Sequence, residues 1–253
     1  MSSNSLRVAL ITGSGQGLGA SIAEKLAADG FLVAVSDIVV ERAETTAEAI
    51  RAKGGAAAAY RLDVTNSDEV DATIDQIVAE HGTLDALVCN AGMTRDNLLF
   101  KMSNEDWNLV IGTHLTGTFL CCRAAQRHMV KQRYGRIVLV SSRAAQGNRG
   151  QTNYSAAKAG LQGMARTMAI ELGPFGVTVN AVAPGHIETA MTHSTAERMG
   201  LPYEELAQTV IDRNAIKRVG QPADVSNAVS YFLSEGAGYI TGQVLYITGR
   251  PLG

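Results

Sequence analysis

What most constrains this chain is a rhythm: short, almost wholly apolar runs alternate with amphipathic stretches from one end to the other. The runs at residues 7–12 (RVALIT), 31–36 (FLVAVS), 57–62, 84–89 (LDALVC), 136–141 (RIVLVS), 177–182 (VTVNAV) and 243–247 (QVLYI) read as strands. Near-continuous apolar character marks strands covered on both faces, as in a parallel sheet. Between them, segments 18–29, 41–53, 67–80 and 104–131 carry Ala, Glu and Arg at helical spacing. Parallel neighbours cannot be joined by a tight turn, so the helices are crossovers, and crossovers are right-handed. The pattern predicts an α/β fold: a doubly wound parallel sheet of about seven strands flanked by helices. At 253 residues the chain fits one domain spanning residues 1–253. One stretch, 186–218, breaks the rhythm with helix-like pieces carrying Met191, Met199, Leu201, Tyr203 and Leu206. Ligands bind beyond the C-terminal strand ends of such sheets, so this insertion reads as a substrate lid; an ordinary surface helical hairpin is the plainer alternative.

Directly after the first strand comes Thr12-Gly13-Ser14-Gly15-Gln16-Gly17-Leu18-Gly19, followed by a helix. Glycine permits positive φ and lets the backbone approach a pyrophosphate, which then meets the free N–H groups of the helix N-terminus. A glycine run alone says little. Here it follows a strand, opens a helix, and is answered by Asp37 at the end of the second strand, eighteen residues beyond Gly19. That spacing is the dinucleotide-binding signature of a Rossmann-type sheet. The Asp37 carboxylate can accept hydrogen bonds from both adenosine-ribose hydroxyls and repels a 2′-phosphate. Ser14, Gln16 and Ile38 stand where a basic residue would serve an NADP site, so the reading is NAD rather than NADP. A helix cap or turn residue is the alternative for Asp37.

Composition removes several classes. The net charge is -2 and no Lys/Arg block exists, which argues against nucleic acid or an anionic membrane as partner. No apolar stretch approaches a membrane span, and the polar residues 1–6 carry no targeting signature. Cys89, Cys121 and Cys122 lack a Cys-x-x-Cys spacing and the five histidines form no His-x-x-x-His pair, so no metal site is expected. Free thiols in apolar surroundings fit a reducing cytoplasm.

Tyr154 and Lys158 lie four residues apart at the start of a helix-like segment and share a face. A phenol titrates near pH ~10, and a cation within hydrogen-bonding range lowers that value by about 1 to 3 units. The positive ring of an oxidised nicotinamide would add to the effect. Alone, the pair is also what a surface Tyr beside a solvated Lys looks like. Twelve residues upstream of Tyr154, Ser141-Ser142 ends a strand, where a hydroxyl can donate to a substrate carbonyl or simply cap the next turn.

Taken together, these motifs make the chain, over residues 5 to 250, resemble the single-domain short-chain dehydrogenases/reductases. The carriers are Thr12-Gly13-x-x-x-Gly17-x-Gly19, Asp63-Val64, Asn90-Ala91-Gly92, the set Ser142, Tyr154 and Lys158, and Pro184-Gly185-His186-Ile187-Glu188-Thr189. The runs NAGMTRDNLL (90–99) and QTNYSAAKAG (151–160) resemble 3-oxoacyl reductases acting on carrier-protein or coenzyme A thioesters. The resemblance implies that Tyr154 exchanges a proton with substrate oxygen while nicotinamide C4 exchanges hydride with carbon. It implies that Ser142, rather than Ser141, holds that oxygen. Lys158 would lower the phenol pKa and bind the nicotinamide ribose. Cofactor contacts are implied at Gly13, Ser14, Gln16, Gly17, Leu18, Gly19, Asp37, Asp63, Val64, Asn90, Ala91, Gly92, Tyr154, Lys158, Pro184, Gly185, Ile187 and Thr189. A homotetramer built through the long helices and the C-terminal strand is implied as well.

Two positions depart from the family. An asparagine usual in the helix before the fifth strand, where it supports a relay water, is replaced by His114. Imidazole can hold that water or pass the proton itself; it can also displace the water, or be a packed helix residue tied to a carbonyl. The basic residue that carrier-protein reductases place before the glycine matching Gly176 is Phe175 here, although Arg133 offers another docking position. The expected activity is therefore ketone/secondary-alcohol interconversion with NAD(H), on a free ketone or an acyl thioester. A catalytically silent NAD-binding protein and an interaction module are the alternatives, since fold does not imply function.

Overall fold

The chain's two halves repeat one device, a buried strand followed by a helix that returns over the sheet. A computed structural model describes residues 6–251. The polar residues 1–5, the extreme ends of the 1–253 span and the Met199 side chain lie outside it. In the first half, β1 (Arg7–Thr12), α1 (Gly17–Ala28), β2 (Phe31–Asp37), α2 (Val40–Ala52), β3 (Ala56–Arg61) and α3 (Ser67–His81) follow one another. The second half begins with β4 (Ala86–Cys89), α4 (Asn104–Ile111), α5 (Gly117–Gln132), β5 (Gly135–Val140) and α6 (Thr152–Leu172). It closes with β6 (Val177–Pro184), α7 (Ala190–Met199), α8 (Tyr203–Arg213), α9 (Pro222–Leu233) and β7 (Val244–Ile247).

The seven strands form one sheet in the order β3-β2-β1-β4-β5-β6-β7, every neighbouring pair parallel. The order reverses between β1 and β4, so the turns after these two strands diverge and leave a crevice at their C-terminal ends. Each face of the sheet is sealed by its own apolar layer. Ile22 and Leu26 of α1, Ala43 and Ile50 of α2, and Val225, Val229 and Phe232 of α9 pack with one face. On the other, Val70, Ile74 and Ile77 of α3 join Met129 of α5 and Leu161 and Ala165 of α6. Burying each of the larger aliphatic side chains contributes about 1.5–3 kcal/mol, which explains why aliphatic residues dominate β1, β4, β5 and β6.

Strand limits agree with the apolar runs to within two residues. β4 starts late because Asp85 turns its carboxylate onto the Val8 amide at 2.8 Å, so a side chain occupies the ladder position there. One element is corrected. The helix read over 104–131 is two helices joined by a π turn, Gly112–Thr116. Such a turn re-aims side chains within a helix, and here it buries His114. No helix among the described residues is long and apolar enough to cross a membrane.

Candidate active site

The glycine turn is built from backbone and serine. Ser14 is fully buried; its hydroxyl donates to the Ile11 carbonyl at 2.8 Å and accepts from the Ser36 amide at 3.0 Å. Side chain and backbone amide, the latter donating to the Ser36 carbonyl at 2.8 Å, thus both stitch β1 to β2. Gly13 has φ 62°, and a Cβ there would sit 2.7 Å from the Ala91 Cα, so any side chain would wedge the β1 and β4 turns apart. Beyond it, Gln16 precedes α1 without a side-chain cap, and a Cβ on Gly17 would meet nothing within 4 Å. Uncapped helix N–H groups facing open space suit a pyrophosphate.

Asp37 ends β2 and is 7% exposed. Its Oδ2 accepts from Gly15 N at 3.3 Å and its Oδ1 from Val39 N at 3.0 Å. Each oxygen keeps a lone pair for a ribose hydroxyl. The sequence concealed a neighbour. Arg42, in the first turn of α2, packs so close that a Cβ on Gly15 would lie 2.6 Å from the Arg42 Cβ and 2.8 Å from Asp37 Oδ2. The expectation that Ser14, Gln16 and Ile38 alone flank Asp37 is corrected: an exposed cation stands on the same rim. Asp63 half-caps the turn after β3, accepting from Thr65 N at 2.9 Å, with buried Val64 behind it.

Across the crevice, Asn90 Nδ2 donates to the carbonyls of Thr12 and Gly13 at 3.0 and 2.9 Å. The Thr12 hydroxyl receives the amides of Asn90 and Ala91, both at 3.0 Å. These bonds weld the β4 turn to the β1 turn. Gly92 then passes so near His114 that a Cβ on it would overlap the imidazole. His114 Nε2 lies 2.8 Å from the Met93 carbonyl and 3.1 Å from the Met93 amide, while Nδ1 is buried with no partner. Burial, assisted by the nearby Lys158 charge, pushes the imidazole down to about 3. A ring that stays neutral at any working pH cannot shuttle protons as an acid; holding a relay water, or simply the loop, remains within its chemistry.

Ser141 and Ser142 part company at the end of β5. Ser141 is buried and donates to the Lys158 carbonyl at 2.8 Å. Ser142 caps the following 3₁₀ turn, accepting from Ala144 N at 3.1 Å, and faces the Tyr154 phenol. Lys158 lies one turn along α6, its Nζ 5.4 Å from the Tyr154 ring centroid and donating to the Val140 carbonyl at 2.6 Å. Burial lowers its ammonium to about 7. The phenol is pushed up to about 12 by burial, which the Ser142 hydroxyl opposes and the Asp96 charge reinforces. Burial thus works against the charged form of each group.

Pro184 and Ile187 are buried at the end of β6, Gly185 N donates to the Ile247 carbonyl at 2.9 Å, and Thr189 caps α7. The 186–218 segment folds as α7 and α8 over this end of the sheet. Its interior is less apolar than the sequence suggests. The His193 ring stacks on Tyr203 at 3.8 Å, His186 lies 6.1 Å from the same ring, and His193 Nε2 is 3.6 Å from a Glu188 oxygen. Two residues that sequence reasoning passed over tie the start of α6, just ahead of Tyr154, to the segment after β4. Asn153, fully buried, accepts from the Tyr154 amide at 2.8 Å and donates to the Arg95 carbonyl at 3.0 Å. Gln151 Nε2 donates to Asp96 Oδ2 at 3.0 Å. Their signal was position beside Tyr154, visible only once a buried asparagine is known to be there.

The crevice therefore has an open, uncapped helix N-terminus, a carboxylate rim, and a half-buried hydroxyl and phenol beside a buried amine, a donor set that fits a nicotinamide dinucleotide. No group of His, Cys, Asp and Glu among the described residues could hold a metal ion.

Comparison with known proteins agrees. The profile of a family described as Enoyl-(Acyl carrier protein) reductase matches residues 13–249. The chain is 43% identical over 243 residues to 3-oxoacyl-[acyl-carrier-protein] reductase FabG of Staphylococcus aureus, covering 95% of this chain and 96% of that protein. It is 42% identical over 243 residues to the (2S)-[(R)-hydroxy(phenyl)methyl]succinyl-CoA dehydrogenase subunit BbsD of Thauera aromatica, covering 96% and 95% respectively. Among solved structures, levodione reductase superposes with a TM-score of 0.92 at 31% identity, covering 96% of each chain. With the glycine turn, the Asn90 weld and the Ser142–Tyr154–Lys158 group on one sheet edge, the chain belongs to the short-chain dehydrogenase/reductase family and is an oxidoreductase of that family.

Proposed function

We propose that this protein interconverts a ketone and a secondary alcohol with NAD(H). The observation carrying the reading is the convergence of Ser142, Tyr154 and Lys158 at the C-terminal sheet edge, beside the glycine turn. The nicotinamide supplies hydride in reduction and takes it in oxidation. Ser142 donates a hydrogen bond to the substrate oxygen. Tyr154 gives that oxygen its proton during reduction and removes it during oxidation. Lys158 orders the ribose and, once a second positive charge joins it, favours the phenolate. His114 anchors the β4 turn through the Met93 backbone, and that turn would line the nicotinamide when it is bound. NAD is favoured over NADP by the buried Asp37 carboxylate, which opposes a 2′-phosphate more firmly than the exposed Arg42 can offset. The substrate class is a 3-oxoacyl/3-hydroxyacyl thioester or a related ketone, in keeping with the names of the carrier-protein and coenzyme A relatives.

Assembly as a homotetramer is part of this reading. A groove between α5 and α6 is lined by Phe119, Cys122, Met164, Met168 and Leu172. Nearby Ile170 is 78% exposed and Leu245 of β7 is 41% exposed, more apolar surface than a lone subunit favours.

The deciding assay follows NADH consumption with acetoacetyl-coenzyme A and with aryl and alicyclic ketones. Tyr154→Phe should lower turnover by about 10²–10⁴-fold while leaving NADH binding, read by fluorescence titration, unchanged. Comparable rates in variant and wild type would overturn the mechanism; faster turnover with NADPH would overturn the cofactor assignment.

A further inference from the structure

A stretch of backbone that belongs to neither the glycine turn nor the catalytic helix is tied to the start of α6 just ahead of Tyr154. Residues 95–97, on the segment after β4, are bolted to residues 150–153, immediately before the tyrosine. Asn97 N donates to the Gly150 carbonyl at 2.8 Å, Gln151 reaches Asp96 at 3.0 Å, and Asn153 reaches the Arg95 carbonyl at 3.0 Å. The first turn of α6 holds no acidic residue, and Gln151 before it makes no side-chain cap. Asp96 therefore delivers, from another element, the negative charge that a long helix N-terminus favours. The lid reaches the same strap. Arg198, near the end of α7, places Nη2 3.3 Å from Thr94 Oγ1 and 3.0 Å from Thr195 Oγ1, with Asp96 Oδ2 at 3.9 Å.

From this arrangement we infer that Arg198, Asp96 and Gln151 form a strap through which the α7–α8 lid sets the charge facing Tyr154, so that Arg198 and Asp96 are positioning residues for the proton-carrying phenol. The physical reason is a three-way balance. Asp96 is held close to the α6 N-terminus, where its charge favours the helix but opposes ionisation of the phenol. A guanidinium brought onto Asp96 cancels much of that field. With α7 down the phenol meets a carboxylate partly offset by Arg198; with α7 lifted it meets Asp96 held by Gln151 alone. The site thus favours proton release only while the lid covers it, which keeps the acidic phenol from water.

The other charged and titratable groups around Tyr154 do not move with the lid. Lys158 lies on its own helix, His114 comes from the π turn at 5.1 Å, and Ser142 stands at the end of β5. Arg95 and Asp106, 3.9 Å apart behind the α6 N-terminus, already balance each other. Of the groups named here, Arg198 is the one carried by α7.

The inference rests on Tyr154 as the proton carrier, yet its test reads ionisation directly and needs no substrate. The full chain is labelled with 3-fluorotyrosine, whose phenol is more acidic than tyrosine's, and titrated by fluorine NMR. Tyr154→Phe assigns the resonance. Asp96→Asn should move the Tyr154 midpoint down by about half a pH unit, and Arg198→Gln should move it up by a comparable amount. In the Asp96→Asn background the Arg198→Gln displacement should shrink to less than half, and Arg198→Lys should restore most of the wild-type midpoint. A purely structural strap would lower the melting temperature in both variants without opposite displacements. Midpoints unmoved, moved in the same direction, or moved equally by Arg198→Gln in both backgrounds would overturn the coupling. An active Tyr154→Phe enzyme would instead overturn the mechanism and leave the titration result standing.

Discussion

The His114 ring stands edge-on to Tyr154, with centroids 5.1 Å apart and planes at 90°. One imidazole thus touches the proposed proton carrier with its edge and the Met93 backbone with Nε2. Its second nitrogen is buried with no protein partner, and burial keeps the ring neutral down to about pH 3.

That depression has a stability signature. Above pH ~6.5 the ring is neutral folded or unfolded, so it contributes no pH dependence. As pH falls below that value the unfolded chain takes up a proton that the folded chain refuses, and stability declines until about pH 3. His114→Asn should therefore lose less stability than wild type across this window, read as melting temperature against pH. Equal slopes would mean that the imidazole is protonated in the fold. Above pH 6.5 the pH–rate curves of the two proteins should have coincident limbs.

Gly92 supports the same contact from the opposite side. Since a Cβ on Gly92 would overlap the His114 imidazole, Gly92→Ala should destabilise the protein by about 1–3 kcal/mol in urea titration. The double variant Gly92→Ala with His114→Asn should recover part of the loss, because the smaller amide frees the space. Additive losses would show that the strain is relieved elsewhere.

Lys158 is held near 7 by burial against a free-chain value of 10.5. Between those limits the unfolded chain binds the proton that the folded chain surrenders, so stability rises with pH through this window and is lowest at its acid end. Lys158→Met removes the penalty. It should raise the melting temperature at pH 7 by about 2–4 °C, flatten its rise toward pH 10, and suppress turnover. A variant that is both less stable and less active would mean that the bond to the Val140 carbonyl outweighs the desolvation of the ammonium.

Asp37 and Arg42 flank Gly15 at the end of β2, where the proposed adenosine ribose would be held. Asp37→Ala should weaken NADH by about tenfold or more through lost charge-assisted hydrogen bonds, while NADPH gains from relief of repulsion. Arg42→Ala in the wild-type background should widen the preference for NADH. KM ratios for the two cofactors decide; an unchanged ratio in Asp37→Ala would leave Asp37 as a turn residue for Gly15 and Val39 only.

The sheet was legible because its strands are buried on both faces, which leaves an apolar run that no other element of this length produces. The glycine turn, Asp37 and the Tyr154–Lys158 spacing were legible for a related reason: each depends on local geometry, a strand end, a helix start or one helical turn. Tertiary structure decided what depends on approach between distant segments. The π turn that buries His114 leaves no composition mark, because helical and π-bulged residues share the same propensities. Ser141 and Ser142 are adjacent in the chain, and only the Lys158 carbonyl, seventeen residues from Ser141, turns one hydroxyl inward. Arg42 beside Gly15, and Arg198 beside Asp96, are pairs whose attraction follows distance in space, a quantity the order of residues does not contain. Burial belongs with these: the sequence reads a phenol lowered by its lysine and an oxidised nicotinamide, and only the fold adds the desolvation that acts against the charged form of both side chains.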